Sequence, residues 1–272
     1  MFGLRIGEII MDYELPYLSA SRIKCYLSCP QKFKLQYVLK TPWAFQPSAM
    51  VLGIAVHEAI EVYYKTWMDG RRLSLSDMHD VFEESWRTET DGKRLDVDDP
   101  EPAKNMGKDL VATFHDQVRP QNVMAIEYDF RVPLLFKDSG EVLGVDLVGR
   151  IDLIEADNAG NIVIADSKTM ARRPSEQDLA IDLQLSAYAY AARQLGIVHA
   201  DETVLLRIDA LMKTKTPAFI QLFTTRTPDS DTQFVRLAAD IIHAVVSGAF
   251  PANPGWQCGG CVVGDTCYLK NS

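Results

Sequence analysis

The chain has 272 residues and a formal net charge of −9, because 37 Asp and Glu residues outnumber 28 Lys and Arg residues, and 47% of it is hydrophobic. At roughly 150 residues per domain, this length predicts one large domain or a medium domain with a smaller lobe. The composition excludes disordered, collagen-like and membrane-spanning chains. The negative charge excludes a uniformly basic surface, so a polyanionic partner must be met by local positive charge.

The N-terminal sequence indicates neither a membrane anchor nor a secretion signal. No apolar run approaches the roughly 20 residues that a membrane-spanning helix needs. Arg5, Glu8 and Asp12 interrupt any apolar core that a signal peptide would require. We therefore expect a cytoplasmic protein with no membrane partner.

Positive charge is concentrated near the start of the chain. Residues 15–57 contain no Asp or Glu but five basic residues, Arg22, Lys24, Lys32, Lys34 and Lys40. The segment is a candidate for contact with a polyanion, although a solvated helix surface explains it equally well. We find no internal repeat and no low-complexity segment.

The first half of the chain predicts helices. Ser19 is a plausible N-cap for a helix that ends at Ser28, and Pro30 starts another helix at its first turn. Hydrophobic periodicity predicts three longer helices over 50–68, 76–88 and 102–117. Together they form a helical lobe.

The pattern then changes to the period of two that is typical of strands. Strands are predicted over 123–132, 144–155, 162–168, 204–212 and 219–225, with helices over 175–195 and 229–247. A helix between strands permits the crossover that a parallel pair requires. The expected fold class is α/β, with a central mixed β-sheet flanked by helices.

Two aspartates are placed across a predicted hairpin. If the turn Asp157–Gly160 is centred on Ala159, residues whose numbers sum to 318 oppose each other, so Asp152 faces Asp166. Lys168 then shares their face, because side chains alternate along a strand. A register slip of one residue would put the two acids on opposite faces.

Opposed like charges destabilise a sheet, so we expect a cation between them. Mg²⁺ or Mn²⁺ fits, because such hard ions bind carboxylates, water and phosphate oxygens. The corresponding chemistry is phosphodiester hydrolysis, in which Lys168 orients the attacking water or stabilises developing charge. The alternative is a surface hairpin whose charges, including Asp146 and Arg150, form a salt-bridged ladder.

This hairpin resembles that of the PD-(D/E)xK nuclease superfamily, in particular its RecB-like branch. Gly149 to Asp152 matches the G-x-x-D strand of that branch, and Asp166 to Lys168 matches its acid-x-Lys strand. Ile151 replaces the nominal proline, as is common in this branch. The resemblance implies a restriction-endonuclease-like core and a metal-dependent DNA nuclease in which Asp152, Asp166 and the Ser167 carbonyl hold the metal.

The resemblance also extends to flanking segments. Gly53 to His57 matches a G-x-x-x-H helix, which implies that His57 is a metal ligand. Glu127 resembles the acid that the family shows between this His and the first Asp, which implies that it also lies at the metal. From the residues alone, His57 borders an apolar helical stripe, and surface exposure explains both Glu127 and Asp129.

A Q-x-x-x-Y helix is matched by Gln184 to Tyr188. The spacing of four residues places both side chains on one helical face, from which they could reach DNA phosphates or metal-bound water. Without the resemblance, a tyrosine in this Ala-rich helix is more typical of a core position.

Four of the five cysteines lie near the two ends of the chain: Cys29, Cys258, Cys261 and Cys267. Their pattern resembles the [4Fe-4S] staple of RecB-like nucleases, including the AddB nuclease domain, exonuclease V and CRISPR adaptation nucleases. Zn²⁺ at the same site and free buried thiols are the alternatives. Cys25 lies one helical turn before Cys29 and could compete as a ligand, but we expect it to be a small buried hydrophobe.

These features together predict a single nuclease domain over residues 18–268. It comprises a helical lobe (18–120), a nuclease core (121–225) and a C-terminal helix with the cysteine staple (226–268).

The favoured function is exonuclease action on single-stranded DNA ends with Mg²⁺ or Mn²⁺. The alternative is a catalytically silent iron–sulfur module that binds DNA or a protein partner. Recombination, repair, phage replication and CRISPR adaptation, each with its own protein partners, are all compatible with the residues.

Overall fold

Helices make up the first half of the chain in the computed structural model, which describes residues 13–270. The Ser19 hydroxyl accepts a hydrogen bond from the Arg22 N–H and caps the first helix, and Pro30 lies in the first turn of the second. The helices are α1 (Ala20–Ser28), α2 (Pro30–Phe33), which continues as a π-helical turn (Lys34–Val38), α3 (Ser48–Met68), α4 (Leu75–Thr90) and α5 (Glu101–Gln117).

The second half forms one five-stranded sheet with the order β1-β2-β3-β4-β5. All neighbours are antiparallel except β3 and β4, which are parallel. The predicted mixed sheet is therefore confirmed. Its strands are β1 (Val123–Leu135), β2 (Val142–Ala156), β3 (Ile162–Met170), β4 (Val204–Met212) and β5 (Ala218–Arg226), and α8 (Pro228–Val246) follows them.

The prediction of one continuous helix over 175–195 is wrong. The crossover between β3 and β4 contains two helices, α6 (Glu176–Ala180) and α7 (Leu183–Gln194). Asp182 lies between them, and its Oδ1 accepts the N–H groups of Gln184 at 2.8 Å and Leu185 at 3.0 Å. Aspartate side chains compete in this way for backbone N–H groups, so Asp182 ends one helical segment and caps the next.

The sheet separates two hydrophobic cores. Ile154, Ile164 and Ile208 face the core shared with α7 and α8, whereas Leu153 and Ala165 face the core of the helical lobe. Neighbouring residues on a strand thus point to opposite faces, as the period of two requires. Helix α3 packs directly on β1 and β3, which brings its side chains to the sheet.

The predicted hairpin register is confirmed, because Leu153 pairs with Ala165 and Ile154 with Ile164. Counted outward from the turn, the last pair of the β2–β3 ladder is Leu153 and Ala165. Asp152 and Asp166 occupy the next position on their strands. Beyond that point β3 continues to pair with β4 as far as Met170. Strand β2 therefore parts from β3 where the two aspartates lie, and a gap opens between them.

No helix within residues 13–270 combines the length and the apolar character that crossing a membrane requires. Arg5, Glu8 and Asp12, on which the expectation about secretion depends, lie outside the described residues.

Candidate active site

Asp152 and Asp166 lie where β2 parts from β3, and both are largely inaccessible to solvent. Asp166 is only 1% exposed. The Ser167 N–H donates to Asp152 Oδ2 at 2.9 Å. The alternative of a salt-bridged ladder on the protein surface is therefore wrong for Asp152 and Asp166. Arg150, in contrast, forms an exposed ion pair with Asp129 on the solvent side.

Lys168 follows Asp166 on the same face of β3. Its Nζ lies 2.9 Å from Asp166 Oδ2 and 3.7 Å from Asp182 Oδ2. Burial lowers the pKa of Lys168, but the charges of Asp166 and Asp182 outweigh it and raise the pKa above its usual value. Lys168 is therefore a fixed cation at neutral pH.

Helix α3 and strand β1 bring two more predicted residues to Asp152. His57 Nε2 lies 2.8 Å from Glu127 Oε1, and His57 Nδ1 lies 3.6 Å from Asp152 Oδ2. One ligand atom from each of these three residues lies within 4.8 Å of the others. This spacing suits a shared metal ion.

Glu127 reaches the site through an unusual backbone conformation. Its φ is +50°, in the left-handed region that a non-glycine residue rarely adopts. The Glu127 side chain is 10% exposed, whereas that of Asp129 is 73% exposed. The expectation that surface exposure explains both acids is wrong, because the strained backbone turns Glu127 inward. Such strain is concentrated at functional sites.

Helix α7 supports both aspartates. Gln184 Nε2 donates to Asp166 Oδ1 at 2.7 Å and to the Tyr188 hydroxyl at 2.9 Å. The Tyr188 hydroxyl donates to Asp152 Oδ1 at 3.2 Å. Tyr188 is 3% exposed, so this residue fixes the carboxylates instead of reaching DNA. Gln184 also lines the open groove in front of the site.

The electrostatic environment of the site favours the protonated forms of Asp152, Asp166 and His57. Burial and the charge of Asp166 raise the pKa of Asp152 to about 7. Burial lowers the pKa of His57, but the hydrogen bond to Glu127 and the charge of Asp152 outweigh it and raise the pKa to about 9. Burial also raises the pKa of Asp166. Ionised carboxylates here require an additional positive charge.

A divalent cation fits these residues. Asp166 Oδ2 is buried and, among the described residues, has no partner with hydrogen-bond geometry, although Lys168 Nζ is close. A buried carboxylate oxygen without a hydrogen bond is costly unless a cation coordinates it. His57, Glu127, Asp152, Asp166 and the Ser167 carbonyl are the groups that would hold the ion.

The site opens into a groove of about 1030 Å³. Five acidic side chains line it, three of them in the site itself and two, Glu58 and Glu61, on α3. The basic residues of the lining are Arg150, Lys168 and Arg172. Protonated His57 adds a fourth cation to these three, so acids and cations nearly balance, and the groove offers a phosphate no net positive charge unless a divalent ion is bound.

Sequence reasoning missed Asp182 and Phe130, and it did not indicate the contacts that Lys24 and Gly149 make with them. Asp182 contacts Lys168, and Lys24 of α1 contacts Asp182 at 3.2 Å. Gly149 makes room for the Phe130 ring, whose Cζ would lie 2.5 Å from an added Cβ. Phe130 in turn packs edge-on against Tyr188, with ring centroids 6.3 Å apart. An aspartate directly before an Ala-rich helix was the available signal for Asp182.

The four predicted cluster ligands line one cavity of about 270 Å³: Cys29, Cys258, Cys261 and Cys267. The Asn253 N–H points at Cys29 Sγ from 3.5 Å, so the segment that carries Cys29 meets the segment that follows α8. Cys25 does not line this cavity, packs against the main core, and has a pKa that burial raises to about 11. Its expected role as a buried hydrophobe agrees with this position.

The family model of the PD-(D/E)XK nuclease superfamily matches residues 17–268. The chain belongs to the PD-(D/E)XK nuclease superfamily. The superfamily expected from the hairpin is confirmed, whereas the RecB-like branch and the iron–sulfur staple stay predictions.

A solved structure from Eubacterium rectale, named "Putative exonuclease", superposes on this superfamily member with a TM-score of 0.50. The match covers 90% of this chain and 87% of the other at 14% identity, so it shows the shared fold. The Gene 69 protein of Mycobacterium phage L5 is 39% identical over 61 residues. That match spans 22% of this chain and only 21% of the phage protein.

The two motif glycines are predicted to respond differently to an added methyl group. Gly149→Ala should lower the free energy of unfolding by about 1–3 kcal/mol, because the Phe130 ring must move. Gly53→Ala should raise it by about 0.5–1 kcal/mol, because the new Cβ meets only Thr169 Oγ1 at 3.7 Å and helix α3 gains propensity. Urea unfolding of both variants measures the difference. Equal stabilities would contradict the packing described for Gly149.

Metal affinity is predicted to rise with pH between about 6 and 9. His57 and Asp152, whose pKa values are about 9 and about 7, hold protons that a divalent ion must displace. Calorimetric titration with Mn²⁺ at pH 6.5 and 8.5, in buffers of different ionisation enthalpy, should show tighter binding at the higher pH and proton release. An affinity independent of pH, without proton release, would contradict the assignment of His57 and Asp152 as ligands.

Proposed function

We propose that this protein is a metal-dependent DNA nuclease that acts as an exonuclease on single-stranded ends. The observation that carries the proposal is the set formed by Asp152, Asp166 and Lys168 at the parting of β2 and β3. The superfamily supports phosphodiester hydrolysis and a DNA substrate. The name of the E. rectale protein supports the choice of exonuclease.

Each residue has a role that follows from its surroundings. A divalent ion bound here, Mg²⁺ or Mn²⁺, supplies polarisation of the phosphate and activation of water. Asp152 and Asp166 supply ligand oxygens that Tyr188 and Gln184 hold in place. Lys168, anchored by two carboxylates, presents its ammonium group to orient the water and stabilise negative charge.

The basic segment near the start of the chain supports a local approach of DNA. One of its cations lies on the face of a partly exposed aromatic ring, because the Arg22 guanidinium is 3.8 Å from the centroid of Tyr17. Such cation–aromatic surfaces suit single strands, because unpaired bases stack on aromatic and guanidinium planes.

We also propose that the cysteine cavity holds a [4Fe-4S] cluster. A single tetrahedral Zn²⁺, with Zn–S bonds of about 2.3 Å, would hold its sulfurs roughly 3.8 Å apart. Within the described residues, no three cysteine sulfurs lie within 4.8 Å of one another. The thiols instead surround a cavity with room for a larger inorganic group.

The cluster would join both ends of one domain. Cys29 follows α1 and the other three ligands follow α8, so the proposed domain of residues 18–268 closes on itself at this site. A catalytically silent binding module is disfavoured, because the Asp, Asp and Lys set and its supporting hydrogen bonds are complete.

Cleavage is predicted to require both a divalent ion and the acid pair. End-labelled single- and double-stranded DNA should be degraded with Mg²⁺ or Mn²⁺ but not with EDTA. Asp166→Ala and Lys168→Ala should each lower kcat by roughly 100-fold or more, because each removes charge stabilisation that water cannot replace. The product ladder shows the polarity of cleavage.

Asp146→Ala is the matched control, since Asp146 lies on the same strand as Asp152 but pairs with exposed Arg131. It should keep the wild-type rate. Full activity in Asp166→Ala, or equal cleavage in EDTA, would overturn the nuclease proposal.

Anaerobically purified protein is predicted to be brown and to contain about four iron and four sulfide ions per chain. Cys258→Ala should lose the colour, whereas Cys25→Ala should keep it, because Cys25 lies outside the cavity. Elemental analysis and visible absorption measure both. One zinc per chain and no iron would show that the site is a zinc site.

A further inference from the structure

Asp182 joins two lysines that lie far apart in the sequence. Its Oδ2 is 3.2 Å from Lys24 Nζ of α1 and 3.7 Å from Lys168 Nζ of β3. Lys24 and Asp182 are separated by 158 positions. The contact therefore links the first helix of the chain to the centre of the candidate active site.

The position of this carboxylate is fixed by the helix that it caps. Asp182 Oδ1 accepts two backbone N–H groups at the start of α7, so rotation of the carboxylate is restricted. Lys24 Nζ donates to both oxygens, at 3.2 Å to Oδ2 and 3.4 Å to Oδ1, and Oδ2 is the one that also faces Lys168. Because α7 also carries Gln184 and Tyr188, the same helix fixes the acids and both lysines.

Lys24 is accessible to a ligand at the edge of the groove. Its side chain is 39% exposed, against 23% for Lys168. Ser21, three residues earlier on the same face of α1, lines the groove. The Lys24 ammonium therefore lies beside the catalytic centre but outside the set of residues that would hold the metal.

The charges that line the groove indicate that DNA needs a further cation there, and Lys24 can supply it. Five acids line the groove against three basic groups and His57, whose proton a bound divalent ion displaces, so the ion leaves little net positive charge. A strand of DNA brings one negative charge per nucleotide. Lys24 and Lys168 share the carboxylate of Asp182, so this cluster of two ammonium groups and one carboxylate carries a net positive charge beside the groove.

We propose that Lys24 binds a phosphate of the substrate strand adjacent to the phosphate that is cleaved, and that Asp182 is the positioning residue that aligns Lys24 with Lys168. The inference rests on the proposed nuclease function and specifies how its site holds a single strand. Lys24 contacts substrate, whereas Asp182 acts through the two lysines.

Lys24→Met tests the phosphate contact, because methionine keeps the apolar stem and removes the charge. With a labelled single-stranded oligonucleotide and no divalent ion, fluorescence anisotropy should show about fivefold to tenfold weaker binding at low salt. The slope of log affinity against log salt should decrease by about 0.7, the value for one lost single-strand phosphate contact. With Mg²⁺, KM should rise while kcat stays within about twofold. Lys24→Arg should restore binding.

Lys137→Met is the matched control. Lys137 also pairs with one aspartate, Asp201, at 3.1 Å, and it is also exposed. It follows the end of β1, ten residues beyond Glu127, or roughly 30 Å along the strand. It should bind and cleave DNA as the wild type does.

Asp182→Asn tests the positioning role, because asparagine caps helices as well as aspartate does but lacks the charge that holds the lysines. We expect kcat to fall and KM to rise, each by roughly tenfold, with a melting temperature close to that of the wild type. A residue that served only as a helix cap would tolerate this change without kinetic effect.

The inference is overturned if Lys24→Met keeps the affinity and salt slope of Lys137→Met, or if Asp182→Asn keeps wild-type kcat and KM. Failure of the nuclease proposal is distinguishable, because the wild type would then leave DNA intact with Mg²⁺ or Mn²⁺. The anisotropy measurement needs no cleavage, so it still decides whether Lys24 binds phosphate.

Discussion

Two buried carboxylates that face each other across a gap between strands are the constraint on which the candidate site depends. Asp152 and Asp166 lie where β2 leaves β3, and burial together with mutual repulsion raises the pKa of Asp152 to about 7. Lys168 approaches Asp166 from one side, and His57 approaches Asp152 from the other. With Glu127, which also contacts His57, three carboxylates face these two cations, and a divalent ion can balance the remaining negative charge.

Much of the surrounding structure serves to hold these acids in position. Helix α7 provides the donors Gln184 and Tyr188, and Gly149 lets the Phe130 ring pack against Tyr188. The left-handed backbone at Glu127 turns a further carboxylate toward His57. These features lower the free energy of unfolding, because unpaired buried charge and backbone strain both cost free energy. A bound ion would recover part of that cost.

The sequence was sufficient for the strand order and, with the turn centred on Ala159, for the hairpin register, although a slip of one residue stayed open until the structure paired Leu153 with Ala165. It also identified the acids, Lys168 and the cysteines, whose chemistry is visible from residue type and spacing. It could not reveal the break before α7, where a side-chain cap overrides helical periodicity. The inward turn of Glu127 and the contact between Lys24 and Asp182 depend on backbone conformation and on tertiary packing, which no local pattern encodes.

The most direct test of this account is a crystal structure of the wild-type protein with Mn²⁺, measured at a wavelength where manganese scatters anomalously. The account predicts an anomalous peak within bonding distance of Asp152, Asp166 and the Ser167 carbonyl, with His57 turned toward it. A fully loaded crystal with manganese bound elsewhere, and with Asp166 Oδ2 still uncoordinated, would contradict it.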